Sequence, residues 1–124
     1  MQDGKYVILH IDDDQDCLDT VAAILGSEDF VVAQAGGAEE GLRVFKETNP
    51  DLVIVDLMME EIDAGTQLVR DLRAVGADVP LYMLSGAGDL LDQNIDAAEL
   101  GLAGVFQKPV DPATLVSTIR ARLG

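Results

Sequence analysis

Two patterns of apolar residues alternate along the chain. Short, β-branched runs at Tyr6–Ile11, Phe30–Ala35, Leu52–Val55, Leu81–Leu84 and Val105–Gln107 are too short for helices and read as buried strands. Between them, apolar residues recur at helical spacing. The stripes are Leu18, Val21, Ala22, Leu25; Ala38, Gly41, Leu42, Phe45; Leu68, Leu72, Val75 with Val69 beside them; Leu91, Ile95, Ala98, Leu102; and Leu115, Ile119, Leu123. Asp111 is placed to cap the last stripe, with Pro112 at the first helical position. Breaks fall at Gly26, Gly36-Gly37, Asn49-Pro50, Gly76 and Gly101. Five strand–helix units predict an α/β fold, doubly wound: one parallel sheet, helices on both faces, right-handed crossovers. No linker or repeat interrupts the pattern, so residues 1–124 are read as one domain with no output domain visible, which could be a module of a longer protein.

Composition narrows the class. Apolar residues make up 48% of the chain, enough for a core and too many for a disordered acidic chain. Against 23 acidic residues stand 8 basic ones, a net charge of −15. Such a surface repels nucleic acid and anionic membranes and favours cations or a basic partner; direct nucleic-acid and membrane binding are not expected. The single cysteine, Cys17, excludes an internal disulfide and a zinc cluster. No apolar run approaches the ~20 residues of a membrane helix, and the start has no signal-peptide pattern. A cytoplasmic location is expected.

The polar residues fall where a parallel sheet binds ligands, along the edge formed by its strand C-termini. The first strand runs into "HIDDDQD", four carboxylates in seven positions. Two like charges ~4 Å apart at an effective dielectric of ~20 repel by about 4 kcal/mol, so either all four are solvated or something cationic sits among them. The third strand ends in Asp56, the fourth in Ser85 and the fifth in Lys108. Carboxylates can hold a divalent ion, Ser85 and Lys108 can donate to an anion, and an ionised Asp56 needs no base to attack phosphorus. Taken singly, each is an ordinary turn or surface residue; four strands delivering them to one edge favour a site. Asp14 and Asp16 are assigned to the N-terminus of the first helix. His10, mid-strand, is read as structural and not a ligand, Cys17 as a helix-face residue, and Met58 and Met59 as loop or core packing. All-oxygen donors point to magnesium, manganese or calcium. A calcium EF-hand loop fails, because its glycine and final glutamate positions fall on Cys17 and Ala23.

At these residues the chain resembles the receiver domains of two-component response regulators. The pattern is an acidic pair after strand 1 (Asp12-Asp13), an aspartate after strand 3 (Asp56), a hydroxyl after strand 4 (Ser85) and Lys-Pro after strand 5 (Lys108-Pro109). The resemblance spans the whole chain. It implies the flavodoxin-like strand order 2-1-3-4-5 of chemotaxis receivers, and Asp56 as acceptor of a phosphoryl group from a phosphohistidine. It further implies Mg2+ (or Mn2+) held by Asp12, partly through water, by Asp13 and Asp56, and by the main-chain carbonyl of Met58. Ser85 and Lys108 would hold the phosphoryl oxygens, and the Lys108–Pro109 bond would be cis. The implied partners are a sensor histidine kinase or phosphotransfer protein and a downstream protein contacted by the switch.

Departures from the pattern are Glu60-Glu61 after Met59, Asp63-Ala64 with Gly65 one place late, and Val105 where an aromatic is usual. Phe106 should face the opposite side of its strand from Val105. Valine has one stiff rotor, so the Gly86–Leu91 loop is expected to carry more of any switch. Two further readings stand beside it: the same fold as a phosphate sink or unphosphorylated binding module, and an aspartate-nucleophile phosphatase. Asp12 and Asp14 mimic the Asp-x-Asp start of the latter, but no late acidic pair follows Lys108. The expectation is a switch that catalyses only its own phosphoryl transfer and dephosphorylation.

Overall fold

The computed structural model describes residues 4–56, 64–85 and 101–123. In chain order these form β1 (Val7–Ile11), α1 (Gln15–Gly26), β2 (Val31–Ala35), α2 (Ala38–Thr48), β3 (Leu52–Asp56), α3 (Ala64–Ala74), β4 (Leu81–Ser85), β5 (Gly104–Gln107) and α4 (Pro112–Leu123). The sheet is parallel throughout, in the order β2-β1-β3-β4-β5, as the resemblance implies. Most of the helix expected at Leu91–Leu102, the Gly86–Leu91 loop, Met58 and the Glu60–Asp63 stretch lie outside the described residues.

Strand alternation divides the core into two layers. Leu9, Ile11, Val53, Val55, Leu81 and Met83 pack against Val44 of α2 and Leu68, Val69 and Leu72 of α3. Ile8, Leu52, Ile54, Tyr82, Leu84 and Phe106 pack against Val21 and Leu25 of α1 and Leu115 and Ile119 of α4. Both faces of β1, β3 and β4 are therefore buried, which is why those strands read as continuous apolar runs. Phe106 does face away from the Val105 side, and stacks on Tyr82 with ring centroids 5.0 Å apart. The Tyr82 ring lies over Gly104, where a Cβ would come within 2.9 Å of it.

Two stripes differ from expectation. Val75, read as part of the α3 stripe, is 45% exposed. The helix ends at Ala74, and Gly76, at φ 94°, turns the chain away in a conformation that favours glycine. In α2, Val44 is buried with Gly41, while Leu42 and Phe45 are only partly buried. Gly41 sets how closely α2 lies on β1: a Cβ there would meet Ile11 Cδ1 at 2.7 Å. Gly41→Val is expected to lower stability by about 1–3 kcal/mol, the usual range for overpacking. Urea denaturation checks this; an unchanged midpoint would contradict the close approach.

The helix ends follow local chemistry. Asp14 caps α1, its carboxylate accepting from the Asp16 amide at 3.0 Å. Asp111 accepts from the Thr114 amide at 3.0 Å, opening α4 at Pro112. Asn49 closes α2 at φ 48°. At the far end of α4, the Tyr6 hydroxyl donates to the Leu123 carbonyl at 2.8 Å, tying the approach to β1 to the last turn of the chain's final helix.

Candidate functional site

The sheet's hydrogen-bond ladder places the polar residues on one edge. Beyond β1, the Asp12 amide donates to the Ala35 carbonyl of β2 at 3.0 Å. Asp56 is the last residue of β3 and Ser85 the last of β4. The Lys108 amide donates to the Ser85 carbonyl at 2.8 Å, so the β4–β5 pairing continues to the lysine. Asp12, Asp56 and Ser85 are buried, Asp13 is exposed, and the Lys108 side chain is 30% exposed. The Lys108 Nζ lies 3.3 Å from Asp56 Oδ1 and 3.9 Å from Asp12 Oδ2. The Lys108–Pro109 peptide bond is cis.

Asp12 is the most heavily engaged group. Its Oδ1 accepts from the Asp14 amide at 2.9 Å, and its Oδ2 lies 3.2 Å from Nε2 of the fully buried His10. Burial works to raise the Asp12 pKa. Hydrogen bonds from His10, the Asp14 amide and the Cys17 thiol, with contact to Asp56, outweigh it and hold the carboxyl well below the usual carboxylate range. Burial, then the hydrogen bond to Asp12 and its charge, push the Cys17 thiol up to about 12. Burial alone would lower the Lys108 pKa; the negative charges of Asp56 and Asp12 more than offset it and raise it.

Carboxylate oxygens of Asp12, Asp13 and Asp56 all lie within 4.8 Å of one another. Three hard oxygen donors this close suit magnesium or manganese, which take one or two carboxylates and fill their shells with water and phosphate oxygens. The Ser85 hydroxyl is buried and has no hydrogen-bond partner among the described residues. A buried donor of this kind is costly unless an acceptor comes to it. The donor set therefore fits a divalent cation with an anion beside it, and Lys108, just beyond β5, would meet the same anion.

The structure thus brings together Asp12, Asp13, Asp56 and Lys108, with Ser85 beside Lys108, while Met58 falls outside the described residues. Two further residues join the site, His10 and Cys17. His10 is not isolated, and Cys17 faces Asp12 from the first turns of α1. The signal for His10 was present: residues two apart at a strand end share a face.

The family model for the response regulator receiver domain matches residues 8–120. Among curated proteins, the chain is 38% identical over 122 residues to a probable transcriptional regulator, ycf27, of Porphyridium aerugineum, covering 96% of this chain and 48% of that protein. It is 35% identical over 123 residues to the DNA-binding response regulator MtrA of Mycolicibacterium smegmatis, covering 99% and 53%. The chain therefore spans about half the length of these relatives. Among solved structures, a CheY-like response regulator receiver domain protein from Methanospirillum hungatei superposes with a TM-score of 0.85 at 27% identity, covering 97% of this chain and 94% of that one. The receiver domain of NtrX from Brucella abortus gives 0.84 at 26%, covering 94% and 97%. Among the described residues, no helix is long and apolar enough to cross a membrane.

Proposed function

Because the chain belongs to the response regulator receiver family, we propose that it is a phosphorylation-driven switch in two-component signalling, with Asp56 as its phosphoryl acceptor. One observation carries this reading: Asp56 is buried at the sheet edge between the Asp12-Asp13 carboxylates and the Lys108 ammonium, 3.3 Å away. An Asp56 oxygen attacks the phosphorus of a phosphohistidine in line. The new P–O bond forms as the P–N bond breaks, and its electron pair leaves on the imidazole nitrogen. There is little covalent work for the protein to do, so positioning and charge stabilisation dominate. Asp12, Asp13 and Asp56 would hold magnesium, which when bound neutralises charge on the transferring group. Lys108 and Ser85 donate to the phosphoryl oxygens, and the changed charge alters the surface offered to a downstream protein.

The donor partner is a sensor histidine kinase or a phosphotransfer protein in the cytoplasm. The chain acts on its own phosphoryl group and on no other substrate. The direct test is intact-mass measurement after incubation with acetyl phosphate, with and without magnesium. One added phosphoryl group is expected, and only with the cation. Equal labelling in excess chelator would remove the metal from the reading; no labelling under either condition would remove the acceptor.

A further inference from the structure

We propose that His10 is a positioning residue for the acidic site, holding the Asp12 carboxylate in the orientation in which it serves a bound cation. The inference rests on the magnesium reading above. His10 and Asp12 sit two residues apart at the end of β1 and so share a face of the sheet. The ring is fully buried, with Nε2 3.2 Å from Asp12 Oδ2. An ionised carboxylate only accepts, so the proton lies on Nε2. The Asp14 amide donates to the other oxygen at 2.9 Å. One fixed donor on each oxygen leaves the carboxylate plane no freedom to rotate.

The plain alternative is core packing. A histidine is poorly suited to that task here, because its Nδ1 is buried with no hydrogen-bond partner among the described residues. Its layer of the sheet is otherwise Ile8, Leu52, Ile54, Leu84 and Phe106. An aliphatic side chain would fill the place without burying a polar atom. The ring's polar contribution is the bond from Nε2 to Asp12. His10, Asp12 and Cys17 also bring their ligand atoms within 4.8 Å of one another. Both the imidazole and the thiol hydrogen-bond to Asp12, however, which makes them supports of a ligand and not a second metal site.

Groups that orient a metal ligand commonly change affinity by about 10–100-fold when removed. His10→Val is therefore expected to weaken magnesium binding by about tenfold, measured by titration calorimetry, with circular dichroism to check that the variant is folded. His10→Gln keeps an N–H donor at similar reach and should recover most of the affinity. In the wild type, the His10 imidazole 15N resonances should shift as magnesium is added. That readout needs no variant to fold. Wild-type affinity in His10→Val, equal weakening in the valine and glutamine variants, or imidazole resonances indifferent to bound magnesium would each overturn the inference alone. A wild-type protein that binds no magnesium would overturn the metal reading, and this inference with it.

Discussion

Asp56→Asn accepts no phosphoryl group from acetyl phosphate, while its fold and its place at the sheet edge are kept. Asparagine matches aspartate in shape, but its amide has no negative charge and its lone pairs are delocalised. The expected loss is on the order of 10³-fold or more, the scale on which removal of a nucleophile acts. The experiment also separates Asp56 from its neighbours. Asp13 is exposed, and one of its oxygens lies within 4.8 Å of both Asp12 and Asp56. If the site merely labelled its most accessible carboxylate, Asp13 would take the group and Asp56→Asn would still gain mass. Asp12 is a poor acceptor by its own geometry, since His10 and the Asp14 amide already engage its two oxygens. Intact-mass spectra of Asp56→Asn and Asp13→Asn, with circular dichroism to check folding, decide between them.

Lys108→Ala should destabilise the metal-free protein and enlarge its response to magnesium. The ammonium is the cation that faces Asp56 at 3.3 Å and Asp12 at 3.9 Å. Without it, the buried Asp12 and Asp56 carboxylates lose the positive charge that offsets their mutual repulsion. Breaking a fully buried pair costs ~3–5 kcal/mol; with the lysine side chain 30% exposed, solvent screening brings this to about 1–3 kcal/mol. A divalent ion then meets less competition, and its affinity should rise about tenfold, equivalent to ~1.4 kcal/mol. The lysine's pKa is raised in the folded protein. Its contribution is therefore complete below the unfolded value of about 10.5 and is lost only as pH rises through the higher folded value, so a measurement at neutral pH sees all of it. The phosphorylated variant should show smaller chemical-shift changes away from the site, because no ammonium follows the new charge. Melting temperatures with and without magnesium test the first part. Identical curves for wild type and Lys108→Ala would make the lysine an ordinary surface residue.

Much of this arrangement was legible along the chain, for definite reasons. Strands buried on both faces must be apolar without interruption, and β1, β3 and β4 are. The rule that ligands gather at strand C-termini turned Asp12, Asp13, Asp56, Ser85 and Lys108 into one cluster before any distance was known. Depth was not legible. Asp12 and Asp13 are adjacent and identical in type, yet one is fully buried and the other exposed, because only Asp12 points back over the sheet beside His10. The spacing of Leu68, Leu72 and Val75 continued one step beyond the helix that produced it, since periodicity carries no mark for the turn at Gly76. In α2, the stripe of Ala38, Gly41, Leu42 and Phe45 included the buried Gly41 but passed over Val44, because the close approach of Gly41 to Ile11 turns the Val44 side of the helix onto the sheet.

The bond from the Tyr6 hydroxyl to the Leu123 carbonyl divides the molecule into two poles. The polar cluster occupies one, where β1, β3 and β4 end. The chain enters β1 and leaves α4 at the other. Twelve helical residues from Pro112 to Leu123 span ~18 Å, and five-residue strands span roughly the same. A segment joined beyond Leu123 would begin beside Tyr6, a full strand's length from Asp56, so its first residues would not touch the phosphoryl group. A tilt or slide of α4, which runs from one pole to the other, would carry a change at the site to such a segment.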